Sequence, residues 1–209
     1  MADTTTSWMM LAALGGFHGI NPGMGWLFAV ALGMQERRRG AVLRALLPLG
    51  AGHALAVAAA IAAALAIGTV VPIAWLRWPV AALLVSLGAM RLVRHRHPRW
   101  ASMRVGTAGL TLWSFLMATA HGAGLMVVPV FVAGAVADHG PHGHHAMPDP
   151  QAALVATGIH AAAYLAVTAL VALVVFEKLG VGLLRRAWFN LDLVWAAALI
   201  ATGLLTLAL

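Results

Sequence analysis

Six segments of this chain stay apolar over the thickness of a membrane: 8–33, 43–69, 71–92, 107–137, 151–176 and 189–209. A helix needs about 20 predominantly apolar residues to cross a bilayer. With no water in the hydrocarbon, a crossing segment must also satisfy its backbone hydrogen bonds within itself. The chain therefore reads as an all-α integral membrane protein of six transmembrane helices. Only 9% of its residues are charged, against roughly 25% in a soluble domain, so no stretch is left over for a soluble catalytic domain. Asp3 is the only early charge, with no basic segment ahead of the first apolar run, so that run reads as a span and not as a cleaved leader.

The net charge of +7 follows the loops. Arg37, Arg38, Arg39 and Arg44 lie in the first loop, and Arg91, Arg94, Arg96, Arg99 and Arg104 in the third. Lys178, Arg185 and Arg186 lie in the fifth, which leaves Arg77 alone on the opposite side. The positive-inside rule then puts these loops in the cytoplasm and both termini, with the loop 138–150, outside. An odd number of spans would mix basic loops between the two sides. The charge therefore reports membrane topology, and no nucleic-acid partner is expected. Trp8, Trp75, Trp78, Trp100, Trp113 and Trp188 near the span ends fit an interfacial aromatic belt.

The two halves resemble each other. With His18 placed on His121, Gly19 meets Gly122 and Phe28 meets Phe131. With His53 placed on His160, Ala54 meets Ala161 and Ala56 meets Ala163, and Gly88 falls on Gly203 in the third and sixth spans. Three spans per unit make the second unit enter from the opposite side, as in the inverted repeats of secondary transporters. Residues 1–104 form the first expected repeat and 105–209 the second. Pro22 and Gly23 in the string HGINPG, and Gly122, Gly124 and Pro129 in the fourth span, predict broken helices at corresponding places. Paired breaks point to a substrate site near the midplane.

Polar groups at membrane depth are expensive and tend to mark a site or pathway. His18, His53, His121 and His160 sit within spans at repeat-related positions, with Asn21 beside the first. One such histidine is readily a hydrogen-bonded packing residue, whereas four on a repeated frame favour a metal or proton role. Neutral imidazole suits Ni, Co, Zn and Cu ions. The absence of a carboxylate from the middle of every span disfavours Mg²⁺ and Ca²⁺, which prefer oxygen ligands. Met24 and Met126 read as flexible core fillers. His139, His142, His144 and His145 in the outer loop form a flexible tract suited to collecting metal ions. His95 and His97 lie among arginines in a segment that reads as an anchor to anionic headgroups. The absence of cysteine removes disulfides and thiolate ligands.

A histidine followed by a proline in the first span, a basic loop, and Gly52-His53 in the second span resemble the nickel/cobalt transporter (NicO) family. That family is a branch of the lysine-exporter-type superfamily of six-span proteins with inverted three-helix repeats. The resemblance implies carriage of a divalent transition-metal ion, with a bacterial inner membrane as the location. Where that family carries a histidine and then an Asp-His pair in its first span, this chain reads HGINPG. A related thiol-electron carrier family uses paired cysteines, so that activity is excluded.

The leading expectation is alternating-access transport of a Ni, Co, Zn or Cu ion through a site of His18, Asn21, His53, His121 and His160. Two others stand beside it. One is an intramembrane metalloenzyme, which would also need a carboxylate base that the spans lack. The other is a metal-binding membrane subunit of a larger complex. The ion as substrate and the lipid bilayer are the expected partners. A homo-oligomer and a membrane partner subunit both remain open.

Overall fold

Segments rich in alanine, leucine and valine, with few breakers inside them, can satisfy their backbone only as helices in an apolar medium. The computed structural model describes residues 4–68, 73–93, 106–139, 150–179 and 191–208, and among these there is helix and turn with no strand. The first apolar segment is divided into α1 (Thr4–Ile20), a short 3-10 turn (Pro22–Met24) and α2 (Trp26–Glu36). Then come α3 (Arg39–Gly68) and α4 (Ile73–Val93). The fourth segment is divided into α5 (Thr107–Ala120) and α6 (Ala123–His139). Next is α7 (Pro150–Val174), which ends in a π-helical turn at Val175–Leu179, and last α8 (Leu191–Ala208).

Arg39–Gly68 and Pro150–Lys178 are long and apolar enough to cross a membrane. The pair Thr107–Ala120 and Ala123–Val132, bent by 61°, makes a third crossing if it counts as one span. Shorter apolar helices run over Arg77–Met90 and Ala196–Leu207. Large apolar side chains lie on the surface as well as in the core. Leu47, Leu55, Leu112, Leu154, Leu170 and Leu204 face outward, while four histidines and several hydroxyls are buried. Exposed apolar surface of this kind is compatible with contact with lipid.

Some expected boundaries shift. The first basic loop, expected over 34–44, contracts to a tight turn. Arg37 adopts the left-handed conformation, its N–H bonds back to Gly33 and Met34, and α3 starts at Arg39. In the fourth segment the break falls at His121 and Gly122, where Gly122 takes a φ of +71°. Gly124 and Pro129 lie inside α6. Proline removes only one intrahelical hydrogen bond, which a packed membrane helix tolerates. Gly124 serves close approach instead, because a Cβ there would collide with Ala60 and press on the Ala56 carbonyl of α3.

Small residues let the helices meet. α1 runs along α7 and α5 along α3, while α3 and α7 also touch each other and α4 pairs with α8. The α4–α8 contact is self-complementary. A Cβ on Gly88 would meet Ile200 and the Ala196 carbonyl, and one on Gly203 would meet Val85 and the Ala81 carbonyl. The two glycines thus meet residues three and seven positions before each other, so their seats are reciprocal. Leu84 and Leu199 are buried at the same two corresponding positions.

Candidate functional site

The break in the first segment can be followed one hydrogen bond at a time. A buried backbone group must find a partner, and residues of HGINPGMGW and of α7 supply several of them. Pro22 has no N–H, so the His18 carbonyl takes the N–H of Asn21 at 3.2 Å instead. The N–H of Gly23 turns to the Asn21 side-chain oxygen at 2.8 Å, which leaves the Gly19 carbonyl to the hydroxyl of Thr168, at the long limit of 3.5 Å. Met24 N–H goes to Asn21, and the Ile20 carbonyl accepts the Trp26 indole N–H at 2.9 Å. The N–H of Phe28 goes to Gly25, and the Met24 carbonyl accepts the Tyr164 hydroxyl at 2.6 Å. Gly25 closes the turn at a φ of +128°, which side-chain-bearing residues rarely adopt.

Beside this break lie three imidazoles. His18 comes from α1, His53 from α3 and His160 from α7, each with 0% of its surface exposed. Their ring centroids form a near-equilateral triangle, 5.5 Å for His18–His53, 5.1 Å for His18–His160 and 5.2 Å for His53–His160. Glycines make the approach close enough. A Cβ on Gly15 would run into the His160 carbonyl, and one on Gly52, next to His53, would run into the Thr111 carbonyl of α5. His121, at the second break, lies within electrostatic reach of His18. Its ring borders the space at Gly23, where a Cβ would lie 3.3 Å from the Asn21 oxygen and 3.8 Å from His121 Cε1. His18, His53 and His160 thus form one cluster, while Asn21 and His121 meet at Gly23.

The hydrogen bonds assign the tautomers. A carbonyl oxygen only accepts, so a ring nitrogen bonded to one must carry the proton. His18 Nδ1 donates to Leu14 at 2.6 Å, His121 Nδ1 to Met117 at 2.8 Å and His160 Nδ1 to Leu11 at 3.1 Å. In the neutral ring this leaves Nε2 of each as the nitrogen with a lone pair. His160 Nε2 lies 3.1 Å from His53 Nε2, so His53 donates there and its Nδ1 carries the lone pair, buried and without a hydrogen-bond partner. The two rings are within 8° of parallel, and their centroid separation is close to the N···N distance plus two ring radii. They therefore meet edge to edge, as an N–H···N bond requires. An ion on that line would sit at half of 3.1 Å from each nitrogen, inside the roughly 2.0–2.1 Å of a Zn–N bond. Consistent with this, among the described residues no group of three or more His, Asp or Glu side chains is arranged to hold a metal ion. The arrangement is a hydrogen-bonded histidine network.

Tyr164, Ser114 and Thr168 complete the site and are not prominent in the sequence reading. Tyr164 stacks on His53 at 3.9 Å between centroids, and the Ser114 and Thr168 hydroxyls lie against its phenol. Ser114 donates across helices to the Leu49 carbonyl at 2.6 Å. A signal was present. His160, Tyr164 and Thr168 recur every four residues, which places them on one face of α7, and Tyr164 is the only tyrosine in the chain. Met24 and Met126 are buried in the apolar core, in keeping with a packing role. His142, His144 and His145 of the outer tract, with His95 and His97, fall outside the described residues, and His139 is the last residue of α6.

Comparison of the chain with protein-family models, curated proteins and solved structures gives no match.

Proposed function

We propose that this protein is a membrane carrier for a divalent transition-metal ion of the Ni, Co, Zn or Cu class, working by alternating access through the histidine cluster. The observation that carries the reading is the burial of His18, His53 and His160 against a helix break, with His121 and Asn21 beside them. Nitrogen donors without a nearby carboxylate select borderline transition metals over Mg²⁺ and Ca²⁺. Binding would replace the His53–His160 hydrogen bond, the two rings tilting so that both present lone pairs to the ion.

The six-span inverted repeat belongs to the same proposal. It is supported by an exchange in the packing scheme: mapping α1 on α5 and α3 on α7 turns the α1–α7 contact into the α5–α3 contact. The reciprocal glycine seats of α4 and α8 add to this. The proposed placement is a bacterial inner membrane with the basic loops cytoplasmic, and the sequence resemblance to NicO carriers agrees with it. The outer histidines would gather the ion. In this reading no resident cofactor is needed, and the ion is the substrate.

One observation favours a second reading. His53 and His160 meet through their Nε2 atoms at 3.1 Å, an imidazole pair through which a proton can pass from ring to ring. Reconstituted vesicles loaded with a metal-sensitive dye separate the two. The carrier reading expects Co²⁺ or Zn²⁺ uptake that is lost in His53→Asn and His160→Asn. Proton flux without any metal flux would replace it with this proton path.

A further inference from the structure

We propose that Tyr164 is the latch of the first helix break, a positioning residue that makes opening of the break and reorientation of His53 a single event. Its hydroxyl donates to the Met24 carbonyl, an acceptor that has lost its helical partner because the N–H of Phe28 bonds Gly25. Its ring lies flat on His53, 3.9 Å between centroids and 8° from parallel. The residue is fully buried, so no water replaces either contact. Its backbone is also fixed against α1, because a Cβ on Gly19 would meet the Tyr164 carbonyl at 2.6 Å. If the 3-10 turn moves, the Met24 carbonyl draws the phenol with it, and the stacked imidazole follows. Trp26 provides the contrast. It holds the neighbouring Ile20 carbonyl of the same break and belongs to a separate apolar cluster with Val42, Leu49 and Val175.

The mechanical half of this proposal is independent of the substrate. Its consequence for transport rests on the carrier reading above.

The test compares Tyr164→Phe, Tyr164→Leu and Trp26→Phe in the full-length chain, by amide hydrogen exchange across the break and by ¹⁵N resonances of the histidine rings. Loss of one buried hydrogen bond should speed exchange at Met24 and Gly25 about tenfold in Tyr164→Phe. The His53 resonances should stay near their wild-type positions there, because the phenyl ring keeps the stack. Tyr164→Leu should loosen the break equally and also move the His53 resonances, whereas Trp26→Phe should loosen the break alone. In vesicles, Tyr164→Phe should change the maximal rate of Co²⁺ uptake about fivefold or more while the half-saturating concentration moves less than about twofold. A structural defect would instead lower the amount of active protein and leave the exchange pattern of the folded fraction unaltered. Exchange at wild-type rates in Tyr164→Phe, or unmoved His53 resonances in Tyr164→Leu, would overturn the latch. A wild type that neither binds nor carries Co²⁺ would overturn the carrier reading, while exchange and ring resonances still decide the latch.

Discussion

One methyl group added at Gly15 should pull the histidine cluster apart, whereas the same methyl on the next residue should not. A Cβ on Gly15 would overlap the His160 carbonyl oxygen and lie 3.0 Å from its carbon and 3.1 Å from Ala163 Cβ. The obstacle is backbone, so α1 and α7 must separate by roughly 1 Å before ordinary contact returns. The His160–Leu11 bond, now 3.1 Å, would then stretch beyond hydrogen-bonding range. Overpacking costs about 1–3 kcal/mol and the lost bond about 1 kcal/mol. The better helix propensity of alanine returns up to about 1 kcal/mol, so the net loss is about 1–3 kcal/mol. On Gly16 the nearest atom to a Cβ is Val167 Cγ2 at 3.4 Å, an ordinary contact. Gly16→Ala should therefore be neutral or stabilising by up to about 1 kcal/mol. The assay is reversible unfolding of the two variants in detergent micelles by titration with a denaturing detergent, with the His160 ring resonances followed in parallel. Equal stability of Gly15→Ala and Gly16→Ala, with His160 undisturbed, would refute the packing from which the site is built.

Further predictions concern the same network. Nitrogen-15 spectra of the histidine side chains should show Nδ1–H tautomers for His18, His121 and His160 and an Nε2–H tautomer for His53; an Nδ1–H form of His53 would contradict the edge-to-edge bond. Asn21→Ala removes the side-chain cap on Gly23 N–H and should cost about 1 kcal/mol in the same unfolding titration, while Asn21→Ser, an uncharged cap, should restore part of the loss. Ser114→Ala removes the cross-helix bond to Leu49 and should destabilise by about 1 kcal/mol; an unchanged unfolding midpoint would mean that the hydroxyl finds an equal partner elsewhere.

The apolar runs and the prolines made the helical class and the first break legible from residues alone. The rule at work is local. Pro22 cannot donate, and the surrounding glycines weaken a regular helix, so HGINPG favours a break. The four buried histidines were legible because imidazole at membrane depth is rare without a reason. What the sequence did not yield depends on partners distant in the chain. Tyr164 serves a carbonyl 140 residues away, and Ser114 serves one 65 residues away. The position of the second break was also misjudged in part. Proline and glycine inside α6 suggested a wide disruption, whereas packing on α3 keeps that helix whole and concentrates the break at Gly122. The triangle itself needs α1 and α3 both packed on α7, and no spacing within one segment announces that.

The central claim is that these buried imidazoles take up a transition metal, and Co²⁺ titration followed by visible absorption tests it most directly. The background should carry asparagine in place of His139, His142, His144 and His145, so that the outer tract cannot contribute. The account predicts binding of about one ion per chain, with the absorption of a nitrogen-ligated site, lost in His53→Asn/His160→Asn protein whose helical content is unchanged. Absent binding in the parent, or undiminished binding in the double variant, would contradict it.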